Sequence, residues 1–209
     1  MIDIQKTAEN ADPDADRDRL LAMLDSVAHL WIERAAPVEI EIARSPRDRD
    51  AVYRHRYEVV MEHGWARPQD FPDGIERDHF DDDAIQVVAR DGATLVGSSR
   101  VVLPVPGRLL PTEEAFDMGI EPAGRVANFD RTLVLAPHRT SDHRILGGVI
   151  ARSWLEARSG GFSLCCGIVS ADMLRRYREL GIELAVLGPA RRHWNEDRFP
   201  IRFGVELSP

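Results

Sequence analysis

The stretch "RVANFDRTLVLAPHRTSDHRILGGVIARSWLEARSGGFSLCCGIVS", residues 125–170, reads as strand, helix, strand. "RVANFDRTLVL" and "FSLCCGIVS" are short apolar runs of buried-strand length, and residues 143–158 between them carry apolar side chains at helical spacing. Downstream, "ADMLRRYRELG" continues as a helix ending at Gly181, "IELAVLGP" as a strand, and "FPIRFGVEL" as the last strand. Upstream, "TEEAFDMG" is a short helix, and "IQVVARDGATLVGSSRVVLP" is two strands joined through Asp91–Gly92, a hairpin signal. "SPRDRDAVYRHRYEVVMEHG" opens with a Ser cap and a Pro in the first turn and closes at Gly64, a helix. "VEIEIA" alternates as a strand, and Leu20, Leu24, Val27 and Trp31 recur at helical spacing from Asp16 to about Arg34. Residues 1–15 are expected to be a disordered tail, 16–36 a helical extension, and 37–209 one α/β domain. The fold class is a mixed, mostly antiparallel central sheet with helices on both faces and an extra N-terminal helix.

Composition narrows the function classes. The chain has 209 residues, 44% apolar and 30% charged, which is ordinary for a soluble globular protein. No apolar run reaches the roughly 18 residues of a membrane span, and the N-terminus has no signal-peptide pattern, so a cytoplasmic location is expected. A net charge of −8 argues against nucleic acid as a partner. The charge is uneven: residues 131–209 carry 12 basic and 8 acidic side chains, a balance that suits a phosphate-bearing carrier or cofactor as well as unpatterned surface. Lys6 is the only lysine and lies in the expected tail, which excludes a pyridoxal phosphate Schiff base and phosphate-loop NTPase chemistry. The adjacent Cys165 and Cys166 point to opposite faces of a strand and read as core fillers. His138 and His143 match no metal spacing and read as solvated loop residues. No metal is expected.

"GIERDHFDDD", residues 74–83, places five carboxylates in ten positions downstream of Trp65. Such a run is either a solvated turn or a face for a cationic small molecule. "RYEVVMEHGW", "GIERDHFD", "GSSRVVLP", "NFDR" and "YRELGIELAVLGP", in that order from about Arg54 to the C-terminus, resemble the acyl-homoserine lactone (autoinducer) synthases. The element order matches the Gcn5-related N-acetyltransferase fold to which they belong. The resemblance implies an enzyme that consumes S-adenosylmethionine as a substrate and holds no permanent cofactor. In that family an acyl group passes from acyl carrier protein or a coenzyme A thioester to the amine, and ring closure then expels 5′-methylthioadenosine. Carried over by motif, the functional positions are Arg56, Trp65, Asp78, Asp81, Arg100 and Arg131. Trp65 with Asp78 and Asp81 suits the sulfonium end, and Arg100 or Arg131 suits the carboxylate. The competing reading of these acids and arginines is a salt-bridge network tying the N-terminal helices to the sheet. Asp82 and Asp83 match nothing in the motif and read as solvated.

Three positions depart from the family pattern. Asn128 stands where the family has a glutamate, a candidate base for the attacking amine, while Asp130 lies one pleat away on the same strand face. "RILGGV" supplies Arg144 and Gly147 of the expected donor loop but puts Val149 at its last small position, weakening a donor site that helix-start amides still favour. Val60 replaces an aromatic residue. Asn128 and Val149 together direct the preferred expectation to donor-free ring closure, with Asp130 as base, giving 1-aminocyclopropane-1-carboxylate and methylthioadenosine. The alternatives are lactone synthesis from an acyl donor, N-acylation of another amine, and a non-catalytic binding module.

Overall fold

The computed structural model describes residues 13–179 and 181–205, so most of the expected tail lies outside the described residues. Helix α1 starts at Pro13 rather than Asp16 and runs to Arg34, with Asp14 and Asp16 in its first turn, where carboxylates suit the helix dipole. Strand β1 (Glu39–Ile42) leads to α2 (Pro46–Glu62), whose Ser45 cap accepts from the Asp48 amide as the sequence signals. The hairpin β2 (Ile85–Asp91) and β3 (Thr94–Val102) turns at Gly92, whose φ of 58° suits glycine. A short α3 (Pro111–Phe116) precedes β4 (Val126–Val134), α4 (Arg144–Ser159), β5 (Leu164–Ser170) and α5 (Ala171–Glu179). The chain closes with β6 (Ala185–Val186), β7 (Arg191–His193) and β8 (Glu196–Gly204).

The sheet order is β1-β2-β3-β4-β5-β8-β6, with β7 also on β8. Every pairing is antiparallel except β4 with β5. Alternation along the strands sorts the side chains into two layers. Val101, Ala127, Phe129 and Cys165 face α1 and α4, while Val102, Val126 and Cys166 sit with Leu110 at the start of α3, and Val88 packs with Val52 and Tyr53 of α2. The two cysteines therefore fill opposite layers, and burial pushes both thiols up, leaving them inert.

Two expected elements differ. The strand expected over 182–189 shrinks to Ala185–Val186, both exposed at the sheet edge, where little apolar burial rewards further pairing. The strand expected at Phe199 begins at Glu196, because an unforeseen hairpin joins it to β7 through Trp194 and Asn195. Both turn residues have positive φ, 51° and 57°, the geometry of a two-residue primed turn.

Helix α1 lies on α4. Asp25 accepts from the Trp154 indole at 2.7 Å and from Arg158, and a Cβ on Gly147 would sit 2.3 Å from the Trp31 ring. Gly147 is thus small to admit Trp31. Val149, fully buried with Val38, Val87 and Val96, points into the core rather than toward any donor. Both residues therefore have packing roles that the donor-loop expectation did not include. No described helix is long and apolar enough to cross a membrane.

Candidate active site

The acidic run folds back on itself. Asp78 caps a 3-10 turn at His79–Asp82, accepting from the Phe80 amide, and Asp81 returns to accept from the Asp78 amide. This box turns Glu76, Asp78 and Asp81 toward the sheet and leaves Asp82 and Asp83 exposed, as the sequence indicates for the last two. Glu76 was not expected here; two residues before Asp78 in an extended stretch, it shares that side of the chain.

Three arginines meet these acids. Arg56 of α2 is fully buried and donates to Asp81 at 2.9 Å and to Gln86, with Glu76 3.6 Å away. Arg100 of β3, also fully buried, forks onto Asp130 of β4 at 2.7 and 2.8 Å and reaches Asp78 and Asp81. Arg131 donates to Glu76 and Asp78 at 3.0 Å. Three guanidiniums thus face four carboxylates, and the cluster keeps one net negative charge. Burial pushes Asp78 upward, but Arg100 and then Arg131 outweigh it and hold its carboxyl below the usual range. Burial likewise opposes, and Arg56 and Arg100 overcome it, at Asp81. Burial lowers both arginines, but Asp130, then Asp81 and Asp78, raise Arg100, and Glu76, then Asp130, raise Arg131.

A depressed carboxyl stabilises the fold above the unfolded Asp value of about 3.9 and loses that contribution as pH falls through the folded value. Melting temperature should therefore hold between about pH 5 and 7 and fall steeply below about pH 4. Asp81→Asn should flatten that fall. A melting profile with the same acid slope in the variant would contradict the assignment.

Beside the cluster the sheet opens. β4 and β5 pair from Val126 and Leu164 as far as Phe129 and Gly167, after which β5 stays with β8 and the β4 edge loses its partner. At that point a Cβ on Gly167 would lie 2.5 Å from the Phe129 carbonyl, and Arg131 takes φ 51°. Strain of this kind concentrates where a strand is re-aimed next to a site. The gap is a cavity of about 360 Å³ walled by β4, β5, α5, the start of α4, the end of α2 and the β7–β8 turn.

One end of the cavity is aromatic and basic. Trp65 stacks on His63 at 4.3 Å and lies 5.9 Å from Trp194. The Arg198 guanidinium sits 4.5 Å over Trp65, and that of Arg131 sits 4.2 Å over Trp194. Burial lowers Arg198, Glu196 partly offsets this, and Arg131 adds to the fall. Burial, then Arg198 and Arg131, takes His193 down to about 4, so it is neutral at pH 7. The other end is a rim of His138, Arg139, His143 and Arg176. His138 and His143 are therefore partly buried cleft-wall residues rather than solvated loop positions. No group of three metal-type side chains converges among the described residues.

The sequence-derived residues separate into groups. Arg56, Asp78, Asp81, Arg100, Asp130 and Arg131 form one network, the salt-bridge reading of the pattern. Of these, Asp130 and Arg131 reach the cavity, where Trp65 also lies. Trp65 does not share a cation site with Asp78 and Asp81; its ring face is covered by Arg198. Asn128 is fully buried, accepting from the Thr112 amide and hydroxyl and donating to Asp130, so it braces the cluster instead of facing a substrate. Both Asp130 oxygens are held, by Arg100 and by Asn128, so in this arrangement Asp130 anchors Arg100 at the edge of the cavity. Arg144 reaches the Ala36 carbonyl at 3.4 Å and does not line the cavity. Val60 is fully buried in α2. Sequence reading missed Trp194, His193 and Arg198. The signals were an Asn tolerant of positive φ after an aromatic residue, and Glu196 and Arg198 two apart on one strand face.

No family model and no curated protein sequence matches this chain. Solved structures do match its fold. TofI, solved in a ternary complex with an inhibitor and MTA, is 21% identical with a TM-score of 0.65, over 80% of this chain and 90% of that one. BjaI, a CoA-dependent acyl-homoserine lactone synthase solved with SAM and isopentyl-CoA, is 19% identical with a TM-score of 0.61, over 81% and 83%. FeeM, an N-acyl amino acid synthase from uncultured soil microbes, is 14% identical with a TM-score of 0.59, over 80% and 90%. The chain shares its fold with these synthase structures and with a protein of the GNAT family, 16% identical with a TM-score of 0.53 over 80% of this chain and 98% of that one.

Proposed function

From a fold shared with the acyl-homoserine lactone synthases, we propose that this chain acylates the amine of S-adenosylmethionine from a thioester donor and then closes the lactone. The nitrogen attacks the thioester carbonyl, an amide forms, and the thiol leaves. The carboxylate oxygen then attacks the carbon beside sulfur, and methylthioadenosine departs with the C–S electron pair. The observation that carries this reading is the cavity opened where β4 leaves β5, flanked by a cluster with one net negative charge.

Unpaired backbone groups along that edge of β4 suit a polarised thioester carbonyl. The rim of Arg139, His143 and Arg176 suits the phosphate of a carrier arm or coenzyme A. S-adenosylmethionine carries two positive groups and one negative, so its net charge complements that of the cluster. Its carboxylate suits Arg198, which lies between two indoles with its Nε unpartnered. Donor-free ring closure loses its two motives, because Asn128 braces the cluster and Val149 packs in the core. Acylation of a free amino acid has its own support, since guanidiniums already cover the two indole faces that a sulfonium would seek.

Incubating the protein with S-adenosylmethionine and an acyl-coenzyme A series should give an acylated lactone by mass, with methylthioadenosine released in equal amount. Acylated amino acid without methylthioadenosine would move the assignment to N-acylation. Methylthioadenosine formed without donor would restore the cyclopropane route.

A further inference from the structure

Helix α1 has two apolar stripes. Leu21, Leu24, Ala28 and Trp31 pack toward α4 and the sheet. Leu20, Met23, Val27 and Leu30 face outward, with 40%, 54%, 42% and 62% of their surface exposed. They are four of the seven large apolar side chains left exposed among the described residues, so the exposure is concentrated on one helix. Leu20 and Val27, which the sequence pattern grouped with Leu24 and Trp31, thus belong to a second face.

Steps of three, four and three residues make this outer stripe a narrow coiled-coil seam rather than a broad core-facing surface. The helix carrying it has 22 residues, about 33 Å of length. We infer that this seam is a self-association surface, on which α1 of a second copy of the chain docks antiparallel.

The flanking charges select the occupant and its direction. Turned antiparallel about the middle of the stripe, Leu20 meets the partner's Leu30, and Met23 meets the partner's Val27. The same alignment brings Asp16 to the partner's Arg34 and Arg19 beside the partner's Glu33. A parallel pairing would instead set Asp16 against Asp16 and Arg34 against Arg34, a like-charge juxtaposition that disfavours it. The groups already near these charges leave room for the exchange. Asp16 accepts from Arg19 at 2.8 Å on its own helix, and Arg34 lies over Trp31 with Asp142 3.9 Å away. All four charged residues are exposed.

A four-layer helix seam is smaller than standard interfaces of about 1,200–2,000 Å², so association should be weak, in the micromolar range. Sedimentation of the full chain across roughly 1–100 µM should show a shift from the 23.5 kDa monomer to twice that mass. Leu30→Glu should stay monomeric with an unchanged melting curve, since its side chain points away from α4. Glu33→Arg should weaken the dimer about tenfold, and adding Arg19→Glu should restore it. The charge reversals keep the test valid if Leu30→Glu proves unstable. A wild-type chain that stays monomeric throughout would overturn the inference, as would a Leu30→Glu dimer. Binding of the monomer to anionic vesicles through Leu30 would also overturn it, making the stripe a membrane contact.

Discussion

Asp81→Ala should cost about 3–5 kcal/mol of folding stability, the usual penalty for stranding a buried ion pair. Asp81 is 1% exposed and receives Arg56 at 2.9 Å and Arg100 at 3.1 Å, both fully buried. Its removal leaves Arg56 with Gln86 and a distant Glu76, and opens the box that folds the acidic run. Asp82→Ala, one residue on but exposed, should change stability by no more than about 0.5 kcal/mol. Denaturant titration of both variants measures the contrast. A loss below about 1 kcal/mol at Asp81 would mean that water replaces the carboxylate and that the cluster is not a dry network.

Arg198→Ala should lower kcat/KM for the amine substrate by roughly 100-fold, chiefly through KM, the size expected for removing one partner of a buried charge pair. Its guanidinium is held 4.5 Å over Trp65 and 5.7 Å from Trp194. Among the described residues its one anionic partner is Glu196, 2.6 Å from Nη2 on the same strand, and Nε donates to none of them. A largely covered cation, 13% exposed and so lightly paired, is costly unless an anion completes it. The neighbouring turn points the same way. Trp194 sits at φ 51°, where a bulky residue is strained, so its indole is retained for its contacts and not for turn propensity. Arg198→Lys should fail to rescue, because an ammonium lacks the planar fork that stacks between indoles. A change of less than threefold in Arg198→Ala would separate this residue from substrate binding.

The two predictions draw on parts of the molecule that the sequence disclosed unequally. Asp78, Asp81, Arg56, Arg100 and Arg131 were legible because each lies in a motif of fixed local spacing, and the capping box that turns the acids inward is itself local. Glu76 and Arg198 escaped notice because each gains its role from partners on other elements. Asn128 and Val149 misled for the same reason. A strand position identifies a face, but what that face meets is known only from the layer beyond it, and a helix position only from its packing partner.

By itself the sequence determined most of the element order, β7 excepted, and set Asp78 and Asp81 apart from the solvated Asp82 and Asp83. It also determined that Lys6 is the chain's single lysine. These are properties of periodicity, capping and composition, which act over a few residues. Only the tertiary structure decided that β4 leaves β5 to open a cavity and that Asp130 is tied to Arg100. It alone set two tryptophans under guanidiniums and left one stripe of α1 bare. Those outcomes depend on the balance of burial, charge pairing and steric fit between segments far apart in the chain, and local pattern does not carry that balance.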